Sequence, residues 1–152
     1  MTTLKIDQEK ARQLYPTATP EFKVMLEDSF GKEFFNQKIT DRIQNFDDIL
    51  RIAGKTMADL QKPGDTDDEV AYKQAKLIAL VYNAGELLPG SDTSVYKYFP
   101  WHKVSGSGLS SGGCAGWASY SDVGVRLCFK ESSHAVDAGK KFLDIYTRLK
   151  IK

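Results

Sequence analysis

Cysteine and histidine are the residue types that could do nucleophilic or metal chemistry, and the chain holds two of each: Cys114, Cys128, His102 and His134. A cysteine attacks as the thiolate, so it needs a base, most often a histidine. Cys114, in Gly-Gly-Cys-Ala-Gly-Trp, would pair with His102 for such a role. The plainer reading is a thiol that sits in a loop. Cys128 lies opposite in phase to Val125 and Leu127 and reads as a packed thiol. The four residues together have zinc-ligand types, but no Cys-x-x-Cys or His-x-x-x-His pair is present. No metal or other cofactor is expected. No set of residues approaches a complete catalytic constellation, which favours a non-enzyme.

The paired carboxylates Asp47-Asp48 and Asp67-Asp68 fall on expected helices, where solvation and capping account for them. The segment from Ser105 to Gly116 is rich in glycine and serine and reads as a loop. It carries no Gly-Lys-Ser/Thr and no helix follows it, so neither phosphate-loop pattern fits. The aromatic run is the stronger functional signal. Tyr96, Tyr98, Phe99, Trp101, Trp117 and Tyr120 lie near Lys97, His102, Lys103 and Arg126. At a period of two, Tyr96 and Tyr98 share one face of a strand, while Lys97 and Phe99 share the other. One set can be core. The other is then free to contact a ligand, a macromolecule or a second copy. The candidate binding residues are Tyr96, Tyr98, Trp101, His102, Lys103, Trp117 and Arg126.

These residues need elements to hold them. Thr19-Pro20-Glu21 opens a helix that Gly31 ends. A second helix runs from Thr40-Asp41 to Gly54, and Thr56 opens a short turn. Thr66-Asp67-Asp68-Glu69 fits a capping box ahead of a wide apolar face from Val70 to Tyr82. Beyond the connector at Leu88, strand formers appear: Val95 to Val104, Trp117 to Tyr120, and the alternating Val123 to Phe129. Pro100 limits the first strand or marks it as an edge. One amphipathic helix from Ser132 or Ser133 closes the chain, with Ala135, Ala138, Phe142, Ile145 and Leu149 as its stripe. The expected fold is α+β: a helical N-terminal half, a small antiparallel sheet, and a C-terminal amphipathic helix packed on it. Residues 1–152 read as a single domain, helical to about residue 88 and sheet plus helix from about residue 95.

The totals fit that picture. Hydrophobic residues make up 41% and charged residues 27%, which argues against disorder. The net charge is +1, so no global field points to nucleic acid, which stays a weak candidate partner. Residues 1–94 carry a net −4 and residues 95–152 a net +5. No apolar run is long enough to cross a membrane, and the polar N-terminus does not read as a signal peptide. The chain is expected to stay where it is made, with reduced cysteines.

Three segments carry a resemblance. They are Tyr96-Lys97-Tyr98-Phe99-Pro100-Trp101, Val123-Gly124-Val125-Arg126-Leu127-Cys128-Phe129-Lys130 and Ala138-Gly139-Lys140-Lys141-Phe142-Leu143-Asp144-Ile145-Tyr146. With Leu14 to Lys23, they resemble a family of small uncharacterised proteins of gut Bacteroidetes phages, prophages and mobile elements. The family brings no catalytic residue. It implies a protein acting in the cytoplasm of a bacterial host or carried in a virion. Its partner would be a phage or host protein, or another copy of itself. The expectation is a non-enzymatic binding protein that uses the aromatic, basic sheet and its Gly/Ser loop. A virion assembly protein and a Cys-dependent enzyme are the alternatives.

Overall fold

The structure is a computed structural model and describes residues 5–119 and 124–151. The architecture is α+β, with N-terminal helices, a two-stranded antiparallel sheet and C-terminal helices packed on the sheet. The chain divides into two compact units, residues 1–42 and 43–152.

The first unit is helical: α1 (Gln8–Leu14), α2 (Pro20–Phe30), α3 (Lys32–Asn36) and α4 (Ile39–Arg42). Thr19 caps α2 and Gly31 ends it, as expected. Rings hold this unit together. Tyr15 stacks on Phe35 at 4.1 Å between centroids, and Phe34 meets Phe35 edge-on at 5.0 Å. The Arg12 guanidinium lies 3.6 Å from the centre of the Phe34 ring and also donates to the Phe34 carbonyl. Arg42 pairs with Glu9 at 2.8 Å.

The second unit is built on α7 (Asp67–Tyr82). Its acidic first turn suits the helix dipole, and the Thr66 amide donates to Glu69 at 2.8 Å. Ala71, Ala75, Ile78 and Tyr82 are buried along it. Helices α5 (Phe46–Ala53) and α6 (Met57–Leu60) precede it. The single helix expected from Thr40 to Gly54 is in fact broken. Asn45 accepts from the Asp48 amide at 3.1 Å, and Asp48 accepts from the amides of Gln44 at 2.9 Å and Asn45 at 3.3 Å. That reciprocal cap starts a new helix.

Strands β1 (Lys97–Ser105) and β2 (Gly108–Trp117) form a hairpin. The expected Gly/Ser loop is therefore a strand, which corrects the sequence reading. Glycine and serine have weak strand propensity, but β1 supplies a paired backbone ladder, and tertiary pairing overrides propensity. Gly112 is the extra residue of a bulge between the Trp101–Gly113 and His102–Ser111 pairs. The expected strand from Trp117 stops at its first residue, and Tyr120 lies outside the described residues. The alternating segment from Val123 is not a strand either. Val123 lies outside the described residues, Val125–Leu127 is a 3-10 turn, and only Phe129 pairs with the sheet.

That one pairing joins the layers. Tyr98 and Phe129 exchange amide-to-carbonyl bonds of 3.0 and 2.6 Å. Asn83, at the end of α7, holds the residues on either side of Phe129. Its side-chain amide donates to the Cys128 carbonyl and accepts from the Lys130 amide, both at 2.9 Å. Since Tyr98 turns its backbone groups away from β2, Pro100 does too by strand alternation. The missing N–H of Pro100 thus falls on the side where Phe129 has already ended the pairing.

The C-terminal helix is also two: α8 (Ser132–Lys141) and α9 (Leu143–Lys150). Phe142 leaves the helical region, at φ −112° and ψ 33°. The break lets α8 lie on the hairpin while α9 lies chiefly on α7. Gly139 lets α8 approach closely, because a Cβ there would sit 2.8 Å from Cβ of Pro100.

Two variants test this assembly. Asn83→Ala strands the Cys128 carbonyl and Lys130 amide and should cost about 2–4 kcal/mol in urea unfolding. Gly139→Ala improves helix propensity by about 1 kcal/mol, yet should destabilise by about 1–3 kcal/mol, because the proline ring cannot yield. A Gly139→Ala protein that melts higher than the parent would overturn the close-packing account.

Candidate functional site

The hairpin has two faces, and the expected site residues divide between them. Tyr98, Pro100 and His102 face the C-terminal helices. Lys97, Phe99, Trp101 and Lys103 face the other way. Phe99 is buried there with Leu88 and Cys128, and Trp117 packs on it at 4.8 Å between centroids. Lys97 is buried too, with only 4% of its surface exposed. Its ammonium donates to the carbonyls of Asp92 and Val95 at 2.8 Å and of Ala118 at 3.3 Å. It therefore ties the connector to the base of the hairpin and offers nothing to a ligand.

The helix-facing side holds His102. Its Nε2 lies 3.1 Å from the Gly139 carbonyl and its Nδ1 lies 3.0 Å from Nζ of Lys150. An ammonium can only donate, so Nδ1 accepts and the proton sits on Nε2, which makes the ring neutral. Tyr146 lies against the imidazole at 5.1 Å, and its buried hydroxyl has no hydrogen-bond partner among the described residues. Burial lowers the His102 pKa below 6.5; the Gly139 carbonyl opposes that shift, and Lys150 adds to it.

Cys114 pairs across the ladder with Pro100. It is a half-buried thiol, and the buried Cys128 thiol donates to the Gly124 carbonyl at 3.4 Å. With both ring nitrogens of His102 engaged elsewhere, the imidazole has no lone pair directed at Cys114. His134 packs against Tyr82 at 5.5 Å, and its Nε2 lies 3.6 Å from Glu131. Among the described residues, no three His, Cys, Asp or Glu side chains group as metal ligands would. No helix among them is long and apolar enough to cross a membrane.

The outer half of the hairpin is bare. Trp101 is 51% exposed and Val104 69%, on opposite faces. Lys103 is exposed beside Trp101, with the bulge residue Gly112 against both side chains. Tyr96 is 51% exposed near the base and leans on Tyr98 at 5.2 Å, over the gap left by Gly116. Strand β2 has no charged residue and no proline, and the described residues give its second edge no backbone partner. Trp101 and Lys103 thus form one surface, with Val104 exposed on the opposite face, while Tyr98 and His102 are structural.

Arg126 stands apart from that surface, in the 3-10 turn. It lines a groove that sequence reasoning did not find, because its walls come from α6, α7, the connector and the turn. The groove encloses about 480 Å³. A neighbouring hollow of about 460 Å³ shares Leu87, Leu88, Val125 and Arg126 with it and reaches Tyr72.

The His102 arrangement has a pH signature. A depressed folded pKa means that the unfolded chain takes the proton first, so stability is full above 6.5 and falls as pH drops through the lowered folded value. The protein should melt lower at about pH 5 than at about pH 7.5, and His102→Gln, neutral at both, should narrow the gap. An unchanged gap in that variant would remove His102 as the source.

Comparison with protein-family models, with curated proteins and with solved structures gave no match.

Proposed function

We propose that this chain is a non-enzymatic accessory protein of a phage or mobile element, which binds a macromolecular partner through the outer half of its hairpin. The observation that carries the reading is Trp101. A tryptophan with half its surface in water, on a strand held by α8 and by Phe129, is a preformed anchor that loses little side-chain entropy on binding. Lys103 beside it adds a charge that can orient a partner.

A second reading, virion assembly, draws on β2. An uncharged strand whose second edge has no backbone partner among the described residues lacks the usual guards against strand addition by another copy. The cysteine-enzyme reading has the least support, since His102 is committed to Gly139 and Lys150.

Native mass spectrometry of the gently purified protein separates these readings. A partner-binding protein should carry mass beyond an integer multiple of 17.0 kDa. Trp101→Ala should then lose that added mass while its melting stays within about 1 kcal/mol of the parent. A defined oligomer with no added mass favours assembly through β2. A bare monomer, or added mass that survives Trp101→Ala, counts against the hairpin surface.

A further inference from the structure

The groove that contains Arg126 is apolar along its walls. Leu60 of α6, Leu77 and Leu80 of α7, and Leu88 and Val125 line it. The apolar surface continues outward, because Leu87 is 75% exposed and Tyr72 is 40% exposed along the same pair of hollows. Contiguous apolar surface of this kind, unlike scattered exposed leucines, marks a place where something binds. A volume of about 480 Å³ suits a small molecule.

The charges around the groove are mostly neutralised from within. Lys73 pairs with Asp65 at 2.6 Å and Glu86 with Lys130 at 2.6 Å. Asp59 accepts from the Thr56 amide at 2.7 Å and has Lys62 nearby. Among the described residues two cations are left over. Lys76 has the Tyr72 ring 5.7 Å from its ammonium and no ion pair among the described residues. Arg126 is exposed and has neither a hydrogen bond nor an ion pair among the described residues. Among the described residues the uncompensated charge is therefore positive and sits on the rim of an apolar trough.

We propose that this groove binds a single-chain organic carboxylate. Its hydrocarbon tail lies along Leu77, Leu80, Leu88 and Val125, and its carboxylate meets Arg126, with Lys76 beside it. The guanidinium is a planar fork that takes a carboxylate through two parallel bonds, so Arg126 sets the head group and the leucines set the tail. An amphiphile with a cationic head would bury the same tail but oppose both cations. This site is independent of the hairpin surface, since none of its residues lies on β1 or β2.

Decanoate, kept below its micelle concentration, is the probe. Calorimetry should give one saturable site per chain with Kd below about 1 mM, and the methyl NMR signals of Leu77, Leu80 and Leu88 should shift with it. Decyltrimethylammonium should bind at least about tenfold more weakly, and Arg126→Glu should weaken decanoate by about tenfold or more. Arg126 is exposed and makes no hydrogen bond or ion pair among the described residues, so this variant should melt like the parent. Lys76→Glu gives a second reading from a different element and should also weaken decanoate. No saturation, equal binding of the two amphiphiles, or an unchanged affinity in both variants would overturn the proposal.

Discussion

The second unit depends on the side-chain amide of Asn83. Helix α7 ends there, and a helix end next to a buried strand residue leaves backbone groups without partners. Asn83 answers this with one donor and one acceptor, aimed at Cys128 and Lys130. Phe129, between them, is then free to pair with Tyr98, and its ring meets Tyr82 at 5.6 Å. Aspartate lacks the donor and glutamine is one methylene too long. The end of α7 and the base of the hairpin thus share a joint a few residues wide, while α8 covers the hairpin more broadly. Further bonds tie α7 to the C-terminal helices, from Tyr82 to Asp137 at 2.6 Å and from Arg148 to Gln74 at 2.8 Å.

Around this joint the molecule separates rigidity from exposure. The base of the hairpin is held by Lys97 on its carbonyls, by His102 on Gly139, and by Pro100 against α8. Its outer half carries Trp101, Lys103 and Val104 into water. The groove repeats the pattern, with a packed wall from α7 and a mobile-length arginine at the rim.

Much of the helical architecture was legible because caps are local. Thr19, Gly31, Gly54 and Thr66 signal their helix ends through hydroxyls, carboxylates and glycine conformations within a few residues. The start of α5 was equally local, since Asn45 and Asp48 have capping-box spacing, but the apolar stripe from Ile43 to Ala53 ran through it and masked it. The break at Phe142 has no local signal: what separates α8 from α9 is that each packs on a different surface. Strand β2 was illegible for the opposite reason, since its conformation is imposed by β1 rather than by its own residues. Period-two counting put Tyr98 and Phe99 on opposite faces, yet it could not say that Trp101 would outlast the cover over Phe99. Arg126 was visible as a cation, but its groove draws on segments far apart in the chain.

The composition of β2 also bears on the order in which the chain can fold. A two-stranded hairpin is marginal alone, and one whose second strand is largely glycine and serine has little side-chain contact to offset its chain entropy. Its stabilising contacts are remote in sequence: Phe129 to Tyr98, Gly139 to Pro100, and Lys150 to His102. Closing such long loops is the slow part of folding. The surface that Trp101 presents is thus contingent on α8 and α9 lying against the hairpin, more than on the residues of β2 themselves.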